Sequence, residues 1–338
     1  LKKIFYSKSA DARAAYVRSY FNQCGTRKMF YLIPKKFMED MSYRLPEARL
    51  FTYEDVTKSN DLFNEANEET LLVFDRSARY KMITNNTFVR LSRIASQYKH
   101  KVMIDIVPFT SGVEYLYSPL AFIDRGILGY QHWYSYRENN WEQQGNNRVR
   151  AHDFDLLAAK LAEHADIDYA DFLGNQVVTV DCSMTKFEAA EYKQLRDRMF
   201  EENKTASPII TTLADWTNIR ESRYAALGSL LTRPGNTAVY TNLAGHNKRL
   251  QKRFPGVNAK SFYDTNGDEG QYDRVILFET PIVRGYLFLD VIANVRPDCE
   301  IYIFRSDSTV DRMLYKRVFE EYNQINALAS ALYREVRQ

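Results

Sequence analysis

At 338 residues, 45% of them hydrophobic and 26% charged, the chain is too long for one small core and suits a globular protein of two domains plus inserts. A net charge of +3 does not by itself announce a nucleic-acid partner. No apolar run reaches the roughly 18 residues of a membrane span, and the start, "LKKIFYSKSADARAAY", lacks the apolar core of a signal peptide.

The chain therefore reads as intracellular and cytoplasmic, with no membrane partner, and its start at Leu1 suggests a trimmed N-terminus. Cys24, Cys182 and Cys299 are odd in number and far apart, which fits neither a disulfide framework nor a metal-binding pair. The five histidines fall in no zinc-binding spacing, so no metal site is expected.

In chain order, residues 1–125 alternate helical stretches with short apolar strands: "KMFYLIP" (28–34), "ARLFTY" (48–53), "TLLVFD" (70–75) and "KVMIDIV" (101–107). Strands separated by helical patterns predict a parallel sheet covered on both faces. Phe88, Leu91, Ile94 and Ala95 recur at helical spacing and mark a crossover helix between the last two strands. Residues 126–205 open with a run rich in Asn, Gln and aromatics that reads as an irregular insert. A helix (153–164), a strand "QVVTVDCSM" (176–184) and a helix begun by the capping box Thr185 to Glu188 follow. In residues 206–338 the segments 236–241, 259–264, 273–280, 290–295 and 300–305 are strand-like, and a long amphipathic helix spans 309–335. The predicted class is α/β, with lobe one at 1–125, an insert and linker at 126–205, and lobe two with the C-terminal helix at 206–338.

These segments follow, in order, those of a known family. The chain resembles the motor core of superfamily-two helicases, and within it the Swi/Snf-type DNA translocases, over nearly its whole length. "LLVFDRSARYK" is similar to the family's Asp-Glu-Ala-His segment. In the run from 101 to 129, Pro108, Glu114, Leu116, Tyr117, Ser118, Phe122, Asp124 and Gly126 hold the family's places. "VTVDCSMTKFEAAEYKQL" is similar to the entry into lobe two, and "NTAVYTNLAGHNKRL" to its first strand and helix. The resemblance implies two RecA-like lobes, each a parallel sheet flanked by helices.

The departures fall where ATP chemistry belongs. A phosphate loop needs glycines whose backbone N–H groups wrap the phosphates, followed by Lys and Ser/Thr. The matching segment has Ser9, Ala10, Asp11 and Arg13, and no G-K-S/T occurs in the chain. The acidic pair reads Asp75-Arg76, with Ala78 in the place of His; Arg76 cannot act as a base. Asp75 could hold a metal, but with its neighbour replaced a strand-end cap is the favoured reading; Arg76 could instead form an ion pair that locks the cleft. The frame that supplies arginine fingers is missing, leaving Arg284, Arg296 and Arg305 as candidates. No catalytic residue and no cofactor are expected.

Lys35 and Lys36 follow the strand that carries phosphate contacts in the family, or else are a solvated helix start. Lys248, Arg249, Lys252 and Arg253 share one helix and are either a phosphate-binding or a solvated face. Tyr53 and Trp133 could stack bases, though burial is the commoner use. The expectation is a catalytically inactive helicase-like protein that binds nucleic acid, duplex DNA ahead of RNA, or a partner protein. The setting is a replication, transcription or packaging assembly, and the Asn- and Tyr-rich composition fits a virus or phage. The alternatives are a divergent active translocase using ATP and Mg²⁺, and a structural scaffold that contacts partners through 126–152.

Overall fold

The structure is a computed structural model that describes all residues except 1, 59, 78–85, 110–111, 141–142, 145–146, 149–152, 171–176, 203–204, 243, 263–270, 282–284 and 297. The chain forms two compact units, Leu1–Phe172 with Asn323–Gln338, and Leu173–Tyr322. The division differs from the expected ranges: residues 126–205 are not a separate insert but are shared between the two units, and the long C-terminal helix, Val310–Arg337, ends in the first.

Unit one holds β1 (Ile4–Tyr6), β2 (Lys28–Ile33), β3 (Arg49–Thr52), β4 (Thr70–Asp75) and β5 (His100–Asp105). A hairpin of β6 (Gln143–Gln144) and β7 (Asn147–Arg148) follows, and then β8 (Ala165–Ile167). Leaving out the hairpin, the six strands form one parallel sheet in the order β3-β2-β4-β5-β1-β8. The strands are nearly continuous apolar runs because both faces are covered. Met29, Tyr31, Ile33, Leu71, Val73, Val102 and Ile104 point to one face, against Ala14, Val17 and Tyr20 of helix Ala10–Cys24. On the other, Phe74 stacks on Phe122 at 5.2 Å between centroids, and Phe122 meets Phe88 of helix Asn86–Ala95. The four residues that marked this crossover helix are all buried.

Unit two is a five-stranded parallel sheet of β9 (Val177–Asp181), β10 (Thr237–Thr241), β11 (Asn258–Ser261), β12 (Arg274–Leu277) and β13 (Glu300–Arg305), in the order β11-β10-β12-β13-β9. This is the two-lobed α/β architecture the sequence predicts. The capping box forms as read: Glu188 N donates to Thr185 Oγ1 at 3.2 Å, and Thr185 N to Glu188 Oε2 at 2.8 Å. One predicted strand is wrong. Residues 290–295 lie largely in the helix Gly285–Asn294, whose Phe288, Leu289, Val291, Ile292 and Ala293 are buried. A short apolar run does not separate a buried strand from a buried helix, and here the apolar stretch begins several residues earlier than the strand was drawn.

The topology marks where each lobe would hold a ligand. The connections after β1 and β5 leave in opposite directions, to β2 and to β8, as do those after β10 and β12, to β11 and to β13. In open α/β sheets the crevice beyond the C-terminal ends of such strand pairs is the ordinary binding position.

Candidate functional site

In lobe one the crevice is bounded by Ser7-Lys8-Ser9, the three residues between β1 and helix Ala10–Cys24. Their polar groups are already engaged. Ser7 N donates to the carbonyl of Asp105 at 3.0 Å, Ser9 N to Ser7 Oγ at 3.0 Å, and Ser7 Oγ to Asp168 Oδ2 at 2.5 Å. Ser9 caps the helix, accepting from Ala12 N at 3.1 Å. One turn into the helix, Arg13 folds back, and its Nη1 donates to the carbonyls of Ser7 at 2.7 Å and Lys8 at 3.2 Å. A phosphate loop directs N–H groups at an anion. This loop directs two carbonyls at a cation.

Arg13 is only 1% exposed. Its charge is balanced by Asp75, at the end of β4 and fully buried, with Nε 3.9 Å from Oδ1. Asp75 Oδ2 accepts from the Tyr31 hydroxyl at 3.0 Å, and the Asp75 carbonyl accepts from the Tyr53 hydroxyl at 2.7 Å. Burial, reinforced by the Asp75 charge, pushes the Tyr31 hydroxyl well above the ordinary tyrosine range, so it stays a donor. Asp75 is thus held within its own lobe by Arg13, Tyr31 and Tyr53, residues of other segments and not of the turn that follows it.

The cation paired with Asp75 is Arg13, and Arg76 stacks on Phe37 with its guanidinium 3.5 Å from the ring centroid. Its φ of 56° makes it one of two described non-glycine residues in the left-handed region, and this turns the chain sharply after β4. A guanidinium does not serve as a base at neutral pH. Ala78 and Arg284 lie outside the described residues. Arg296 is engaged by Asp273 and Asp298, and Arg305 by Asp181 and Asp307.

The loop between β1 and the helix is three residues long and has no glycine, the N–H groups of Ser7 and Ser9 are engaged within the lobe, and the buried Arg13 guanidinium lies against its carbonyls.

Lobe two repeats the device. Arg223, on helix Glu221–Leu231, is fully buried. Its Nε and Nη2 donate to the carbonyl of Phe278 at 3.0 and 2.6 Å, Nη2 also to that of Phe304 at 3.3 Å, and Nη1 binds the buried Asp311. Beyond β10 and β12 a second cluster gathers. Glu279 is buried, accepts from Asn242 N at 2.6 Å through Oε2, and receives His246 Nδ1 at 2.5 Å on Oε1. The other ring nitrogen of His246, Nε2, lies 3.2 Å from Asp215 Oδ1. The hydrogen bond to Glu279 raises the imidazole above its ordinary value; burial and Arg249 oppose this, while the two carboxylate charges add to it. With a carboxylate at each nitrogen, the site favours the imidazolium.

Of the residues read as binding nucleic acid, Lys35 is exposed and Lys36 half-buried in the turn that follows β2. Tyr53 is not available to a base: it is 1% exposed and tied by its hydroxyl to Asp75. Lys248, Arg249, Lys252 and Arg253 are all exposed on helix Ala244–Arg253. Arg253 is paired with Glu221 and lies over Tyr224, whereas no described carboxylate pairs with the other three. The Arg223 and His246 clusters were missed from sequence because their partners are 88 and 33 residues away, with no local spacing to announce them.

No family model matches the chain, and no curated protein does. Among solved structures it is similar to the Sulfolobus solfataricus SWI2/SNF2 ATPase core in complex with dsDNA, at 12% identity over 99% of this chain and 92% of that one, TM-score 0.42. It is also similar to the Pyrococcus furiosus Hef helicase domain, at 11% identity over 93% and 94%, TM-score 0.42. A third is S. cerevisiae Dbp5 bound to RNA and ADP BeF3, at 9% identity over 96% and 84%, TM-score 0.44. At these identities the likeness carries no correspondence between individual residues.

Two outcomes follow from the site. Arg13→Met strands Asp75 in the core and is expected to lower unfolding free energy by about 3–5 kcal/mol in urea titrations, with Asp75→Asn added to it recovering most of the loss. For His246 the raised folded value means a stabilisation fully present below the ordinary 6.5 and lost as pH rises through the folded value. The Tm of lobe two should fall over that window, and His246→Gln should flatten the fall.

Proposed function

We propose that the chain is a helicase-like protein that does not turn over ATP and that binds nucleic acid, duplex DNA ahead of RNA, as a subunit of a larger replication, transcription or packaging assembly. The observation that carries the first half is Arg13. A nucleotide entering the crevice of lobe one would have to displace a buried guanidinium from two carbonyls and leave Asp75 unbalanced, and the loop would then offer carbonyl oxygens to its phosphates. Both changes oppose an anion. No described group stands beside Asp75 to activate water.

Support for the second half comes from helix Ala244–Arg253, where Lys248, Arg249 and Lys252 project into solvent without carboxylate partners. Their spacing of one, four and three residues places them along one side of the helix, as a run of phosphates requires. Lys35 and Lys36 supply a second basic pair on lobe one. Among the described residues no helix is long and apolar enough to cross a membrane.

In a thermal-shift assay, Mg-ATP is expected to leave the Tm unchanged, where occupancy at about a hundred times Kd would add about 2.7 kcal/mol. Turnover that disappears in Asp75→Asn would overturn the proposal. For duplex DNA, replacing Lys248, Arg249 and Lys252 with Ala should weaken binding for all sequences and reduce the slope of log K against log salt by about 2.7, at about 0.9 per lost phosphate contact. Unchanged affinity and slope would remove the duplex reading.

A further inference from the structure

Lobe one also carries a groove, lined in part by Trp133, the second aromatic that the sequence offered for base stacking. It has a volume of about 490 Å³ and lies between one face of helix Asn86–Ala95, the end of helix Tyr117–Ile123, and the segment that starts helix Trp133–Asn139. Three properties of its lining point to one kind of occupant.

The first is charge. Arg93 and Arg125 both line the groove, and no described carboxylate pairs with either, whereas Arg13, Arg18, Arg44 and Arg49 of this lobe are each paired. The second is aromatic surface: His132, Trp133 and Tyr134 follow one another along one wall, with the Tyr134 side chain largely exposed at 63%. The third is unfilled hydrogen bonding. Ser92 Oγ and Trp133 Nε1 are each shielded from solvent and have no partner, and both residues line this groove. They are two of the shielded side-chain atoms of the described residues that lack a partner, and a polar ligand seated in the groove would supply one to each.

We infer that the groove binds one unpaired nucleotide of a single-stranded nucleic-acid segment. The aromatic wall would stack the base, the two guanidiniums would take the flanking phosphates, and Ser92 and Trp133 would meet polar atoms on the base or sugar. The volume lies in the range of small-ligand pockets and suits a single nucleotide, not a duplex. The inference rests on the nucleic-acid reading above and adds a second surface to it. An extended peptide is disfavoured because the pair of unmatched arginines would need acidic groups on both sides of an aromatic one, the arrangement that phosphate, base and phosphate provide.

The test uses the full chain and a fluorescein-labelled oligothymidylate of twelve nucleotides, read by anisotropy, beside a strand of equal length with abasic sites. Trp133→Leu should weaken oligothymidylate binding by about 5- to 150-fold, the range of one lost base stack. Arg93→Glu, on an exposed helix position, should weaken it as well and guards against misfolding of the tryptophan variant. Duplex binding through Lys248, Arg249 and Lys252 should be unchanged in both. The inference is overturned if both variants bind the oligonucleotide as the parent chain does, or if the abasic strand binds equally well. If duplex binds but the oligonucleotide does not, the groove assignment alone is lost. If neither binds, the nucleic-acid reading fails and this one with it.

Discussion

A parallel sheet sends the C-terminal ends of all its strands to one edge, so carbonyl oxygens beyond the last ladder bonds collect there and need donors. In both lobes an arginine supplies them. Arg13 and Arg223 are the two largest fully buried side chains of the described chain, and each donates to strand-end carbonyls while resting against a buried aspartate. A guanidinium suits this place because its five donors lie in one plane and its charge persists when desolvated. The surrounding packing depends on the arrangement being complete, since a guanidinium or a carboxylate left alone at that depth costs several kcal/mol.

The two networks are not equivalent. Arg223 engages all three of its nitrogens, on Phe278, Phe304, Ser306 and Asp311. Arg13 makes its hydrogen bonds to carbonyls through Nη1, while its Nε stands 3.9 Å from Asp75, beyond hydrogen-bond reach. Carbonyl capture therefore fixes the position of Arg13, and Asp75 serves to balance charge. That order of importance is the reverse of a nucleotide site, where loop N–H groups and a lysine are arranged around an anion supplied from outside. Here the sheet edge is filled from within by a cation.

Sequence periodicity reached far into this structure. β4 and β13 coincide with the segments drawn for them, because long apolar stretches bounded by polar residues leave little choice of register. It failed at β8, whose three residues are too short to show alternation, and at 290–295, where burial on all sides erased the period. The site was half legible. Arg13, Asp75 and Arg76 could be picked out by comparison with a motif, but which arginine faces Asp75 is settled by a helix folding back over its own preceding loop and by the left-handed turn at Arg76. Neither leaves a mark in local spacing. Tyr53 shows the converse: of the two uses open to it, base stacking and burial, its hydroxyl bond to the Asp75 carbonyl fixes burial.

Net charge is a poor guide to what such a chain meets, and the pairing explains why. Arg13 with Asp75 and Arg223 with Asp311 cancel within a few ångströms and are buried, so they contribute almost nothing to the outward field. Most exposed arginines of lobe one are likewise matched to neighbouring acids. The overall +3 is therefore the small remainder of many local cancellations. What a charged partner senses within a Debye length of about 8 Å is the local remainder, and Lys248, Arg249 and Lys252 on one helix and Arg93 and Arg125 on the groove are two places where that remainder is positive. The cations at the two sheet edges are thus neutralised from within, while those on helix Ala244–Arg253 and on the groove face outward.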